Sequence, residues 1–320
     1  ADAAKGVNEF MKVGIDFEIG KVGEGVRRIK QEFLEAHKLA QTEHDSAVER
    51  GDADEEIEKL RQRLDNAASD MECVLYVERE KAGSSEKTFA NGSLKRDCDS
   101  SGDVLSDRIT ARGEGMDLED FCNHPSARTA KLHVAHVFAL RLYTTAAFAR
   151  VNGPFRDPDP DRPTHPFPIT VHYINEGISK LRAVGAKEGG LARLDFWRGM
   201  QNVGLDDNKC NFLKDGGTEV APMSTTKDLS IAVEYSMSRR PLLFRLVTTS
   251  FMQRGADLRF LSAFPVEAEY LYQPLTFLRP TGKRIEVEIT NKDIQAATEG
   301  KRTLRAASLT FTVVEVEPLH

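Results

Sequence analysis

The stretch Ser262-Ala263-Phe264-Pro265-Val266-Glu267-Ala268-Glu269-Tyr270 sets two carboxylates two residues apart, behind a turn-prone Phe264-Pro265 and ahead of the apolar Leu271 and Tyr272. If the run that carries both glutamates into Tyr270, Leu271 and Tyr272 is a strand, its period of two sends Glu267 and Glu269 to one face. Two like charges at the start of a buried strand are costly, because they repel and each loses hydration, unless a cation meets them. Such a placement belongs to a site rather than to a core.

Working outward, short apolar runs divided by turns occupy everything from Leu194 onward: Asp195–Arg198, Leu242–Val247, Ala268–Tyr272, Thr276–Leu278, Arg284–Ile289 and Leu309–Val316. The chain before Leu194 is written in helical periods. Ile15, Ile19, Val22, Val26, Ile29, Phe33, Ala36 and Ala40 alternate at spacings of four and three, a heptad stripe. The same spacing returns in Ile57, Leu60, Leu64, Ala67, Met71 and Val74, after a polar link with Gly51 and with Asp52 as N-cap. A helical hairpin or coiled-coil arm over 1–80 is expected, either for self-association or packed on the domain after it. Helices first and strands later indicate an α+β fold with an antiparallel or mixed sheet.

The stretch Lys81–Arg112 is polar and reads as linker or surface loop, giving a division into 1–80, 81–114 and 115–320. Within it, Asp97-Cys98-Asp99-Ser100-Ser101-Gly102-Asp103-Val104 resembles the front half of an EF-hand calcium loop, but Arg108 stands where that loop needs a bidentate glutamate. A decoy is the better reading, and no metal is assigned. Val134–Val151 reads as one long amphipathic helix, Pro154–Pro168 as loop, and Val171–Val184 as helix. His133 and His136 lack zinc-helix spacing and read as capping or solvated histidines.

Composition excludes several classes. Residues 1–115 carry 18 basic and 26 acidic side chains, leaving 26 and 24 of the totals of 44 and 50 for the remainder, which argues against a nucleic-acid surface. No apolar run reaches membrane-span length, and no signal-peptide core is visible. The alanine at position 1 reads as a processed start, and no compartment is assigned. Cys73, Cys98, Cys122 and Cys210 are scattered without a Cys-x-x-Cys and are expected to be isolated thiols. The chain contains neither a Gly-x-Gly-x-x-Gly turn nor a Walker lysine loop.

Two further stretches complete the site. Trp197-Arg198-Gly199 sets a permanent guanidinium beside a glycine that admits close approach, and Ser224-Thr225-Thr226 precedes a helix over Asp228–Tyr235. Singly, these are a surface ion pair, an N-cap and a solvent-facing Glu-x-Glu. In order, the arginine, the Ser-Thr-Thr and Glu267-Ala268-Glu269 resemble the signature of arginine-specific mono-ADP-ribosyltransferases, and Tyr143-Thr144, Asn152 and Arg156 are similar to that family's preceding helix. The resemblance covers about the last two-thirds of the chain.

It implies an ADP-ribosyltransferase-like domain that takes NAD as co-substrate, releases nicotinamide and modifies arginines of a protein partner. Glu269 would meet the charge developing on the ribose. Ser224 would hold that carboxylate or the ribose, and Arg198 would brace the pyrophosphate side. Gly199, Thr225, Arg239 and Arg240 would complete the NAD site, with the two arginines in a loop over phosphate and nicotinamide. Glu267 would orient the acceptor guanidinium, and Phe260 and Phe264 are candidates for target recognition. An NAD glycohydrolase, or an inactive scaffold acting through the helical arm, are the alternatives.

Overall fold

The computed structural model describes residues 2–81, 97–99, 101–157, 165–188, 193–203, 205, 211–290, 292 and 308–319. The chain divides into two compact units, one of residues 1–177 with Leu261–Val266, the other of Ile178–Phe260 with Glu267–His320. The fold class is α+β, as the order of periods indicated.

In the first unit α1 (Asp2–Arg50) turns back into α2 (Asp54–Lys81). Gly51 ends α1 in the left-handed region (φ 68°), and the bonds Gly51 N–H to Val48 O and Asp52 N–H to Ala47 O close a Schellman motif. Asp52 is therefore not the cap of α2; it pairs with Arg50 at 2.7 Å, and Ala53 O receives the first helical N–H groups. Val22, Val26, Ile29, Phe33, Ala40 and Ala47 of α1 are buried, Ile57, Leu60, Leu64, Ala67 and Met71 of α2 are half-buried, and α1 packs on α2 and on α5 (Val134–Tyr143). The side chains of Ile15, Ile19 and Cys73, and all of Cys210, lie outside the described residues.

Between α2 and α5 come α3 (Leu118–Asn123) and α4 (Pro125–Thr129). The segment before them is largely exposed where it is described, but it buries Asp97, Cys98 and Arg108. Asp97 takes Arg141 through both oxygens at 3.0 Å and Arg108 at 3.2 Å, while Arg141 also donates to Leu261 O at 2.9 Å and lies 4.2 Å from the Phe121 ring centre. The first oxygen ligand of the EF-hand-like run is thus held by two guanidinium groups, and one of them belongs to the residue at the glutamate position.

His133 caps α5 by accepting the Ala135 N–H, and His136 Nδ1 accepts the His133 N–H, so both are capping histidines. Buried His136 turns Nε2 toward Glu176 at 3.3 Å. The long helix expected over Val134–Val151 is broken. Thr144 and Thr145 bond back to Arg141 O and Leu142 O at 2.8 and 2.6 Å, ending α5, and α6 (Phe148–Arg156) starts afresh and carries Pro154 in its last turn. Tyr143 and Asn152 meet across the break at 3.0 Å. The next helix, α7, runs Pro168–Glu188.

The second unit is built on a mixed sheet ordered β2-β7-β8-β4-β1-β3-β6-β5 among the described residues. Its strands are β1 (Leu194–Met200), β2 (Gly217–Glu219), β3 (Met223–Thr226), β4 (Leu242–Thr248), β5 (Ala256–Asp257), β6 (Glu269–Tyr272), β7 (Thr276–Thr290) and β8 (Ser308–Leu319). Pairing is antiparallel except between β4 and β8. α8 (Phe212–Asp215) precedes β2, and α9 (Leu229–Ser236) joins β3 to β4. The runs foreseen at Thr276–Leu278 and Arg284–Ile289 are one strand, bulged between Pro280 and Arg284.

Pleating sorts the side chains. Phe196, Met223, Phe244, Tyr270 and Tyr272 form a core on one face, while Trp197 and Leu243 pack with Ala232 and Val233 of α9 on the other.

Candidate active site

Arg198, Ser224 and Glu269 lie on β1, β3 and β6, which run side by side in the sheet. β1 is paired with β4 along its whole length, but touches β3 only at Trp197↔Thr226. Beyond that point the two strands lack ladder bonds, and Arg198 Nη1 donates to Ser224 O at 2.8 Å. Its Nη2 lies 3.5 Å from Glu219 Oε2, and Glu219 Oε1 accepts the Ala221 N–H at 3.2 Å. The guanidinium thus braces the backbone of the strand that carries Ser224. Gly199 faces α9: a Cβ there would stand 2.0 Å from Ala232 O and 2.8 Å from Ser236 N. The close approach that the glycine admits is made by a helix backbone.

β3 and β6 are in register with Ser224↔Leu271 and Thr226↔Glu269. Ser224 and Glu269 are therefore diagonal neighbours on one face, and the Ser224 hydroxyl is hydrogen-bonded to the Glu269 carboxyl. Thr225 points away, with its hydroxyl donated to Tyr270 O at 2.9 Å. The plain N-cap reading of Ser-Thr-Thr does not hold. Asp228 caps α9 by accepting the Ser230 N–H at 2.8 Å, and Thr226 Oγ1 accepts the Asp228 N–H at 2.9 Å.

Glu267 and Glu269 do not share a strand face. β6 begins at Glu269, Glu267 ends a 3₁₀ turn over Pro265–Glu267, and Ala268 between them is left-handed at φ 46°. Holding a non-glycine residue there costs about 1 kcal/mol. Even so, the two carboxyls stay close enough to interact. Glu267 accepts the Tyr235 hydroxyl at 2.6 Å.

The cation anticipated for this pair is not what the structure supplies. Among the described residues no lysine, arginine or histidine is paired with either glutamate. Lys227, just after β3, instead lies 4.7 Å from the Tyr270 ring centre. Burial, and then the charge of Glu267, push Glu269 up to about 8 despite the Ser224 bond. Burial also raises Glu267, against the Tyr235 bond and with the charge of Glu234. Glu269 is 5% exposed, so its ionised form is poorly hydrated and meets no counterion among the described residues.

Arg239 and Arg240 lie exposed in the turn between α9 and β4. Phe260 and Phe264 are half-buried. Ala263 N–H donates to Thr144 Oγ1 at 3.0 Å, and Asp97 N–H donates to Ala263 O at 2.9 Å, so the backbone just before Phe264 is held from both sides. Sequence reasoning missed Tyr235 and Glu219. Tyr235 stood as the last residue of an expected helix, and Glu219 lies on a three-residue strand too short to show a period.

No family model and no curated protein matches this chain. Among solved structures it is similar to the ADP-ribosyltransferase HopU1 of Pseudomonas syringae pv. Tomato DC3000, at 16% identity, 65% of this chain, 90% of that chain and a TM-score of 0.40. It is also similar to exoenzyme S from Pseudomonas aeruginosa, in complex with human 14-3-3 protein beta and bound to carba-NAD, at 15% identity, 62% of this chain, 86% of that chain and 0.35. The type III effector XopAI from Xanthomonas axonopodis pv. citri is similar over 93% of this chain and 99% of that chain, at 11% identity and a TM-score of 0.39.

Proposed function

We propose that the chain is an ADP-ribosyltransferase that takes NAD as co-substrate and transfers ADP-ribose to arginine side chains of a protein. One observation carries the reading: a buried carboxyl, Glu269, with a second, Glu267, beside it, both held by hydroxyls and paired with no cation among the described residues. Such a pair is poorly stabilised when ionised, and a positive charge brought against it relieves the penalty. Cleavage of the nicotinamide–ribose bond develops positive charge on the ribose, and Glu269 supplies its complement.

In this reading the bond from ribose C1′ to nicotinamide nitrogen breaks with the electron pair leaving on neutral nicotinamide. A new C1′–N bond forms to the acceptor guanidine, which gives up one proton. Glu267 orients the acceptor guanidinium. Ser224 holds Glu269, and Arg198 adds positive potential for the pyrophosphate while bracing β3. Gly199, Thr225, Arg239 and Arg240 contribute to the NAD site through the turn and sheet they shape.

NAD turnover tests this with agmatine as a small acceptor, following free nicotinamide and ADP-ribosyl-agmatine. Glu269→Gln is expected to lower both products by roughly 10²–10³-fold, the size of effect of removing one preorganised electrostatic group. Glu267→Gln is expected to lose the adduct while nicotinamide release persists. Nicotinamide without adduct in the parent chain would make it an NAD glycohydrolase. An untouched NAD pool would leave a binding scaffold.

A further inference from the structure

The proposed chemistry leaves Tyr235 without a role. It sits in the last turn of α9, one residue before buried Ser236 and two after buried Val233, and is itself 51% exposed. Its hydroxyl nevertheless reaches Glu267 Oε1 at 2.6 Å, the short distance of a hydrogen bond to a charged acceptor. One carboxylate oxygen of Glu267 is thereby fixed, and the other is left to meet a donor.

The surroundings select which donor. Glu234 adds negative charge beside Glu267 and the tyrosine ring, and Glu269 does so once it ionises. No cation is paired with Glu267 or Glu269 among the described residues. A half-exposed aromatic face next to a fixed carboxylate matches a guanidinium, whose edge offers a fork of N–H donors and whose plane stacks on a ring. An ammonium would use the carboxylate but not the face as well.

We infer that Tyr235 is the positioning residue of the acceptor subsite: it sets Glu267 for a guanidinium and lends its ring as one wall. The inference rests on the arginine-transfer reading and specifies how the acceptor is recognised.

The test uses the full chain and agmatine alone, by titration without NAD, for the parent, Tyr235→Phe, Tyr235→Leu, Glu267→Gln and the double variant Tyr235→Phe/Glu267→Gln. Tyr235→Phe is expected to weaken agmatine about tenfold, as for a hydrogen bond to a charged group, with Tyr235→Leu weaker still. In the Glu267→Gln background, Tyr235→Phe is expected to add little, because its effect passes through Glu267. A parent that does not bind agmatine, equal affinities of parent and Tyr235→Phe, or full additivity in the double variant each overturn the inference.

Turnover then separates this from the transferase reading. Tyr235-dependent agmatine binding with no cleavage of NAD sustains the subsite and sinks the transferase. An adduct formed with the same partition between ADP-ribosyl-agmatine and free ADP-ribose in Tyr235→Phe as in the parent does the reverse.

Discussion

Glu269 ties the stability of the protein to pH. Its folded-state pKa of about 8 lies above the ordinary carboxyl value of 4.5, so the folded chain holds a proton that the unfolded chain releases between these limits. Stability therefore falls as pH rises through that window and levels off above about 8, by at most about 5 kcal/mol at 1.36 kcal/mol per unit. The upward shift of Glu267 acts in the same direction. Glu269→Gln removes the charge and keeps the shape, so the variant should be more stable than the parent at pH 9 and closely similar at pH 4.5. Urea midpoints at the two pH values check this; a parent midpoint that does not fall between them would show that Glu269 ionises freely.

At the scale of elements, the joint between α9 and β1 depends on one missing methyl group. Gly199 lies under α9 with the carbonyl of Ala232 where its Cβ would be, and backbone atoms cannot swing aside as a side-chain tip can. Gly199→Ala is expected to cost about 3 kcal/mol, at the upper end of overpacking effects, and to displace α9 together with Tyr235. Denaturant unfolding measures the first. Agmatine affinity in the folded variant measures the second, and should fall with it. The same scale explains the break between α5 and α6, where two threonine hydroxyls donate to carbonyls in the last turn of one helix before the next begins.

Across the whole chain, Asp97 does what no local motif could announce. It joins residues 11, 44 and, through Arg141, a further 120 positions apart in sequence, inside the first compact unit. Asp97→Ala would leave Arg108 and Arg141, both essentially fully buried, without their shared carboxylate. The expected loss is roughly 3–5 kcal/mol, as for breaking a buried ion pair by removing one partner. Thermal or urea unfolding reads it directly, and a loss below about 1 kcal/mol would mean that water or another group already serves these guanidinium groups.

What the sequence determined by itself was whatever repeats at short range. Hydrophobic period placed α1, α2, α7 and most strands, and the change of period near Leu194 settled the α+β class, because alternation and heptad spacing express local burial directly. Tertiary structure decided the rest. Polar residues carry no period, so Asp97 and Arg108 read as loop until a distant Arg141 buried them, and Thr144 and Thr145 read as helix until their hydroxyls closed it. The Glu-Ala-Glu spacing was visible, but its geometry was not: left-handed Ala268 takes Glu267 off the strand, and Tyr235, reached only by folding α9 over β1, decides where that carboxylate points. Charge without a counterion is likewise a property of three dimensions, since it depends on which cations the fold brings near and which it keeps away.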